Sequence, residues 1–415
     1  MGLFSRILGS ADSRALKKLG PVLDSVRAQE AAFHKLSASA IRSRVAGVPS
    51  LASAFAAVSL CEIRNAQPTP PDWQIQLAIL LDQPQVVEPP PGENLSVPIA
   101  MALYRSCLSG QRCVYMAPDD EQVEQEMARS GAILQSLGVT VAHARENPDC
   151  QVVYSGFEEL DRIDDERFVL VNAAGFPLIH YRNDTFRRFR KLAGIACSVD
   201  DTAAEYQAIF GLKVSVVPSP QPCQRKYLDD RIFDSHEPRI AAIATDVGER
   251  RKRGQPVIIG ASQAMAELIA ELIPDCQVAA GPNAMQTLNR AGNIGAVTLL
   301  TPPSGFDARI PLGPGVTKRG GLCVIGAERD IQMDGFLTRC CARRGEPGVV
   351  QFYLSLDDEL MTAFGSERIR SQWRAMGMKD GEALCHPWLN KSIKKAQTRL
   401  SAELLKLRKM SLGLK

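Results

Sequence analysis

Apolar side chains near the N-terminus recur every three or four positions, which is the spacing of one face of an α-helix. One such series runs from Leu16 to Val26, and Ser37 is placed to cap a further helix. Turn-forming residues then interrupt the pattern in NAQPTPPDW at 65–73. The pattern predicts an N-terminal helical segment over residues 1–66 that is ended by a linker.

After the linker, short apolar runs rich in β-branched residues alternate with helical stretches. The first series contains RCVYMAP at 112–118, CQVVYSG at 150–156 and RFVLVNAAG at 167–175. A second series of five runs starts with LKVSVVPSP at 212–220 and ends with GGLCVIGAER at 320–329. Strands that alternate with helices are typical of parallel sheets in α/β domains. We therefore expect two such domains in tandem, over 67–195 and 196–365.

Helical spacing returns in the C-terminal segment, 366–415. Apolar residues from Ile393 to Leu407 form a stripe, and lysines and arginines stand between them. This pattern predicts a basic, amphipathic C-terminal helical segment.

Composition places the chain among ordinary globular proteins, since 45% of its 415 residues are hydrophobic and 23% are charged. No apolar run is long enough to predict a membrane-spanning helix, and the N-terminus lacks the pattern of a secretory signal. Eleven cysteines occur without a C-x-x-C pair, and five histidines are scattered, so the common zinc sites are not indicated. We expect a cytoplasmic protein with reduced cysteines and no metal site.

Charge is distributed unevenly along the chain. The net charge of +3 combines +5 in residues 1–48 and +8 in residues 366–415 with −10 between them. Basic helical ends on an acidic body can meet an anionic surface such as lipid or RNA, or they can simply be solvated helix faces. The sequence leaves both interpretations open.

The stretch PPPGENLSVP at 89–98 has the form of a phosphate-binding loop that lacks part of its chemistry. Such a loop needs glycines for close backbone approach, a lysine for the phosphates and a hydroxyl for magnesium. Gly92 and Ser96 suit these roles, but Leu95 stands at the lysine position and Pro91 removes a backbone N–H. A candidate phosphate loop in the first of two α/β domains predicts a RecA-like, helicase-type fold.

Several longer stretches resemble the SecA family, the ATPase that drives preproteins through the bacterial export channel. KLAGIACSVDDTAAEYQAIFGLKVSVVPSPQP at 191–222 and GEPGVVQFYLSLDDELMTAFGSERI at 345–369 carry the resemblance. It is weak near the N-terminus and strong over 191–369. We expect two pieces of the family to be missing: the preprotein-gripping domain before 191, and the helical parts that follow the start of the scaffold helix.

The resemblance implies a nucleotide site whose chemistry is largely replaced. The family's T-G-E-G-K-T matches Pro91, Gly92, Glu93, Asn94, Leu95 and Ser96. A later strand of the family's first domain ends in two acids, one that holds magnesium and one that activates water. These acids match Asn172 and Ala173. The family's adenine-reading glutamine matches Gln76, which could equally be a partly buried residue near a helix start. We expect a vestigial nucleotide site at these positions.

The second domain of the family supplies arginines, and the resemblance implies that most of them are lost here. G-R-G-T-D matches 305–309, which puts Phe306 at the arginine and Arg309 at the acid. Q-L-R-G-R-S-G-R matches 336–343, which puts Phe336 at its first position and retains only Arg343. We expect the two phenylalanines to fill the empty nucleotide site with apolar packing.

These observations favour a SecA-like pseudo-ATPase, with no catalytic residues and no cofactor, that acts by binding a partner. The partner implied by the resemblance is the export channel or a full-length translocase, with membrane contact through the N-terminal helix and no nucleic acid. Localisation would then be cytoplasmic or peripheral on the inner face of the cytoplasmic membrane. Two alternatives remain open: an atypical but working ATP·Mg-dependent translocase motor, and a regulatory or structural protein unrelated to export.

Overall fold

The computed structural model describes residues 16–173, 186–196, 199, 202–273, 275–280, 283–301, 310–363, 369–371, 374, 379 and 381–414. The chain divides into two compact units, which meet in the sequence at Pro220 and Gln221. Each unit is described by itself below.

Three N-terminal helices pack onto the first unit, because their apolar faces join its hydrophobic core. They are α1 (Gly20–Phe33), α2 (Ala38–Gly47) and α3 (Leu51–Arg64). The predicted cap of α2 is confirmed, since the Ser37 hydroxyl accepts a hydrogen bond from the Ala40 amide at 3.2 Å. Ser50 and Ser53 form a reciprocal capping box at the start of α3.

The first unit is built on a sheet of seven parallel strands in the order β3-β4-β2-β5-β6-β1-β7. The strands are β1 (Gln85–Glu88), β2 (Cys113–Ala117), β3 (Val141–His143), β4 (Val152–Gly156), β5 (Phe168–Ala173), β6 (Lys191–Ala196) and β7 (Lys213–Val216). The helices between them are α4 (Asp72–Leu81), α5 (Ser96–Leu108), α6 (Asp120–Glu126), α7 (Ala132–Ser136) and α8 (Ala203–Phe210). A π-helical turn, Met127–Gly131, joins α6 to α7.

One strand lies in a different sheet from the one that sequence order indicates. The run at 212–220 begins the second series of apolar stretches, but β7 within it pairs in parallel with β1 of the first sheet. Pairing partners are chosen by long-range packing, so the order of runs along the chain does not determine the sheet to which a strand belongs.

The second unit contains a second sheet of seven parallel strands, in the order β11-β12-β10-β13-β14-β8, with β9 also paired to β14. The strands are β8 (Gln224–Tyr227), β9 (Arg231–Phe233), β10 (Val257–Gly260), β11 (Gln277–Ala279), β12 (Val297–Leu300), β13 (Leu322–Gly326) and β14 (Pro347–Ser355). The helices are α9 (His236–Lys252), α10 (Gln263–Leu272), α11 (Ala284–Arg290), α12 (Ile331–Cys340), α13 (Glu359–Ala363) and α14 (Pro387–Ser411). The predicted α/β class with parallel sheets is confirmed.

Helices cover both faces of the second sheet. Along β10, Ile258 enters one apolar cluster, whereas Val257 and Ile259 enter another. The first cluster includes residues of α12 and α14, and the second includes residues of α9 and α10. Alternate side chains of a strand point to opposite faces, so each face has its own core.

The apolar stripe predicted for the C-terminal segment lies along one side of α14. Leu389, Ile393 and Ala396 are buried in the second unit, whereas Leu407 is 62% exposed. The helix therefore packs on the unit with its first half and presents apolar residues to solvent near its end. Among the described residues, no helix has both the length and the apolar character needed to cross a bilayer.

Candidate functional site

The loop that resembles a phosphate-binding loop follows the carboxyl end of β1 and precedes α5. Gly92 has a φ of +74°, a left-handed conformation that side-chain-bearing residues rarely adopt. β1 lies between β6 and β7 in the interior of the sheet. A loop that links a parallel strand to the N-terminus of a helix is where nucleotide phosphates bind in this class of fold. The backbone arrangement of such a loop is therefore present.

Side chains of the protein occupy the hydrogen-bonding groups at the start of α5. The Asn94 side-chain oxygen accepts a hydrogen bond from the Ser96 amide at 3.0 Å. The Asn94 carbonyl in turn accepts one from the Gln74 side chain of α4 at 3.0 Å. A phosphate would need the N–H groups of this turn, and one of them is already bonded to Asn94.

The Ser96 hydroxyl, which stands at the family's magnesium-ligand position, is also engaged. It donates a hydrogen bond to Oε2 of Glu126 at 3.1 Å, and both residues are buried. Glu126 is the last residue of α6, where the π-helical turn begins. Its other oxygen, Oε1, has no hydrogen-bond partner among the described residues. Burial raises the pKa of Glu126 to about 7, against the opposing effects of the Ser130 and Ser96 hydroxyls.

Further buried polar contacts lead from Glu126 towards the strand that should carry the catalytic acids. The Ser130 hydroxyl bonds to the Glu126 carbonyl at 3.1 Å and to the Tyr154 hydroxyl at 2.7 Å. The Tyr154 ring packs against Tyr115, with 5.3 Å between ring centroids. The Asn172 amide donates to the Tyr115 hydroxyl at 3.0 Å. Asn172, which matches the first of the family's two acids, thus contributes to the packing between β5 and β2.

On these contacts, we infer that the residues of the first unit do not fit a magnesium nucleotide. Leu95 is half-buried against the apolar core and offers no donor to a phosphate. Ala173, at the second acid position, has no polar side chain. The described residues contain no group of three or more histidines, cysteines, aspartates or glutamates placed to hold a metal ion. The described hydrogen bonds of Ser96 and Asn94 are all made within the chain.

Gln76, which matches the family's adenine-reading glutamine, lies half-buried on α4. Gln74, two residues earlier, is the glutamine whose side chain is bonded to the loop. Glu126 was also missed. Neither position could be found from spacing alone, because both contacts join segments that are 20 and 30 residues apart along the chain.

The other candidate positions lie in the second unit. Phe336 on α12 is 4% exposed and belongs to the apolar cluster of that face of the sheet. Arg343 is buried, and its Nε donates to the Arg339 carbonyl at 2.8 Å. Phe306 and Arg309 lie outside the described residues. The structure thus places Phe336 in the apolar core of its own domain.

Comparison with known proteins connects the chain to one family. The family model described as SecA P-loop domain matches residues 312–381. The SecA translocase subunit of Solidesulfovibrio magneticus is 35% identical over 237 residues, which are 55% of this chain and 28% of that protein. The SecA translocase subunit of Salinibacter ruber is 37% identical over 243 residues, which are 55% of this chain and 21% of that protein. The matched region therefore spans only about a quarter of these relatives.

Solved structures support the fold alone. A DUF1998 helicase, MrfA, bound to DNA aligns with a TM-score of 0.51 at 8% identity, covering 76% of this chain and 53% of that one. Dbp5 of S. cerevisiae, bound to RNA and ADP BeF3, aligns with a TM-score of 0.51 at 12% identity, covering 84% of this chain and 97% of that one. The two parallel sheets are therefore RecA-like, as the sequence predicts.

Replacing the buried carboxyl group should change how stability depends on pH. The folded-state pKa of Glu126 is raised, so the stability that depends on its protonated form is complete below about pH 4.5 and is lost as the pH rises through about 7. Between about pH 5 and pH 8, the free energy of unfolding of Glu126→Gln should fall less than that of the natural protein. We expect the difference between the two falls to be on the order of 2–3 kcal/mol. Urea denaturation across that range measures it.

The matched control is Glu124→Gln, which changes an exposed carboxylate on the same helix. This control should retain the pH dependence of the natural protein. If Glu126→Gln and the natural protein lose stability equally over this range, Glu126 is not the buried titrating group described here.

A charge placed at the Phe336 position should destabilise the protein. The ring is buried in an apolar cluster, so Phe336→Arg puts an unpaired cation there at a cost of about 3 kcal/mol or more. Chemical denaturation measures the loss, and Leu407→Arg, at a site that is 62% exposed, serves as the control. Equal stability of the two variants would contradict the buried packing role.

Proposed function

We propose that this chain, which belongs to the SecA family, takes part in protein translocation by binding a partner and does not hydrolyse ATP. Membership of the family supports the link to translocation, because the relatives named above are translocase subunits. The absence of hydrolysis rests on the chemistry of the first unit.

The Ser96–Glu126 hydrogen bond is the observation that carries this proposal. A magnesium nucleotide would have to displace Glu126 from the Ser96 hydroxyl and Asn94 from the Ser96 amide. It would then bring phosphate charge close to a buried carboxyl group, which is repulsive whenever that group is ionised. Binding would thus cost two internal hydrogen bonds and gain no lysine, since residue 95 is a leucine.

Hydrolysis would require still more groups that the sequence lacks. Asn172 and Ala173 replace an acid that holds the metal and an acid that activates water, and Phe336 stands in the region of the arginine motif. An arginine finger alone contributes about 10³–10⁵ in rate. Metal ligation and charge stabilisation contribute several kcal/mol more, so the combined losses do not leave an efficient ATPase.

A binding role is what remains for the rest of the fold. The two RecA-like sheets and their cores are intact, so the chain keeps a folded surface although its phosphate chemistry is lost. The export channel or a full-length SecA are the partners that family membership favours. A cytoplasmic location with contact to the inner membrane surface, through the basic N-terminal segment, is part of the same proposal.

Calorimetry with magnesium ATP tests the claim that the protein does not bind nucleotide. The natural protein and Leu95→Lys should both give no binding heat at millimolar nucleotide, because lysine alone leaves Glu126 and Asn94 in place. The SecA of Salinibacter ruber serves as the positive control. Saturable binding by the natural protein at micromolar nucleotide would instead favour an atypical working motor.

Binding to reconstituted membranes tests the claim that the protein binds a translocation partner. The protein should co-sediment with proteoliposomes that contain the export channel, and full-length SecA added to them should change the bound fraction. Vesicles of the same lipids without channel are the control. Equal sedimentation with both kinds of vesicle would indicate lipid contact alone, and none with either would favour a role outside export.

A further inference from the structure

Strand β8 lies at the edge of the second sheet and is exposed on both of its faces. Gln224, Lys226 and Tyr227 are exposed, and Arg225 is half-buried. By contrast, the edge strands β3 and β11 each end in a buried residue, and β7 is half-buried over most of its length. The described contacts that hold β8 to the fold are its pairing with β14 and the hydrogen bond that Arg225 Nη2 donates to the Cys341 carbonyl at 3.0 Å.

The backbone of β8 presents hydrogen-bonding groups to the outside. The Leu228 amide, just after the strand, donates to the Val350 carbonyl of β14 at 2.9 Å. Backbone groups in a strand point alternately to its two sides. Lys226 and Gln224 therefore direct their N–H and C=O groups towards β14, whereas Arg225 and Tyr227 direct theirs to the outer edge. No described strand pairs with that edge.

The chain itself adds a pairing partner slightly further along the same edge. β9 follows β8 on the same side of β14, and there Ile232 and Leu384 exchange two backbone hydrogen bonds, of 3.0 and 2.8 Å, in antiparallel orientation. This contact completes the edge for only one residue pair before α14 begins. The edge at β9 thus accepts an antiparallel backbone, and the adjoining edge at β8 is left open within the described part of the chain.

Charge determines which extended segment fits the open edge. The charged residues of β8 are the exposed Lys226 and the half-buried Arg225, whose guanidinium also donates to the Cys341 carbonyl at 3.0 Å. The nearest exposed carboxylate, Asp229, accepts a hydrogen bond from Asn390 of α14 at 3.0 Å. The Tyr227 and Leu228 side chains are 59% and 41% exposed. Pairing between two copies of β8 would bring these positive charges together, which opposes a symmetric dimer through this edge. An extended segment with acidic and apolar side chains would instead face opposite charges and exposed apolar surface.

We propose that β8 is a docking edge for an extended acidic segment of a partner protein, which adds to the second sheet as an antiparallel strand. Backbone hydrogen bonds to Arg225 and Tyr227 would hold the segment, and Lys226 with the Tyr227 ring would select its side chains. The proposal concerns the second unit only and does not depend on the loss of ATP hydrolysis.

A fluorescent peptide of alternating glutamate and valine, eight residues long, is the probe. The fluorescence anisotropy of this peptide should rise and then saturate as the natural protein is added. The same peptide N-methylated at two adjacent central residues keeps every carboxylate but loses a backbone donor on each edge. We expect it to bind about fivefold more weakly or worse, since each lost hydrogen bond weakens binding by about that factor. Equal binding of the two peptides would overturn strand addition.

Charge reversal tests the location. Lys226→Glu alters an exposed side chain and should weaken binding of the acidic peptide while strengthening binding of a lysine–valine peptide. Lys213→Glu, on the exposed end of edge strand β7, is the matched control and should leave both affinities unchanged. If Lys213→Glu has the larger effect, or Lys226→Glu has none, the segment does not dock at β8.

Discussion

The hydrogen bond between the Ser96 hydroxyl and Glu126 is the interaction on which this account of the first unit depends. It occupies a group that a magnesium nucleotide would need, and it places a buried carboxyl group beside the N-terminus of α5. Asn94 completes the arrangement by capping the Ser96 amide. The amide and the hydroxyl of Ser96 are therefore both hydrogen-bonded within the chain.

Internal contacts also engage other positions that the family motif assigns to nucleotide chemistry. Asn172 bonds to Tyr115 within the first unit, and Phe336 lies in the apolar core of the second. In each case a position that the family motif assigns to catalysis now contributes to packing within its own domain. Similarity to the SecA family and RecA-like architecture are therefore compatible with the proposed loss of the enzymatic role, because a fold is maintained by its core and a reaction by a few exposed side chains.

Local patterns predicted much of the fold, and long-range contacts explain what was missed. The Ser37 cap and the alternation of strands and helices depend on neighbouring residues, so they could be predicted from the sequence. The sheet that receives β7 and the burial of Glu126 depend on packing between distant segments. Glu126 stands in a polar, helical stretch that looks solvent-exposed, and it is buried where that helix passes into a π-helical turn. Such turns cannot be recognised from apolar periodicity, which is why the residue that closes the loop was not predicted.

The most direct test of the central claim observes Ser96 itself. In an amide NMR spectrum with Ser96 assigned, addition of magnesium ATP to millimolar concentration should leave its resonance unchanged, because the amide remains bonded to Asn94 and the hydroxyl to Glu126. A change in the Ser96 resonance that saturates with nucleotide concentration would contradict the account. It would show that the turn opens to bind phosphate despite its internal hydrogen bonds.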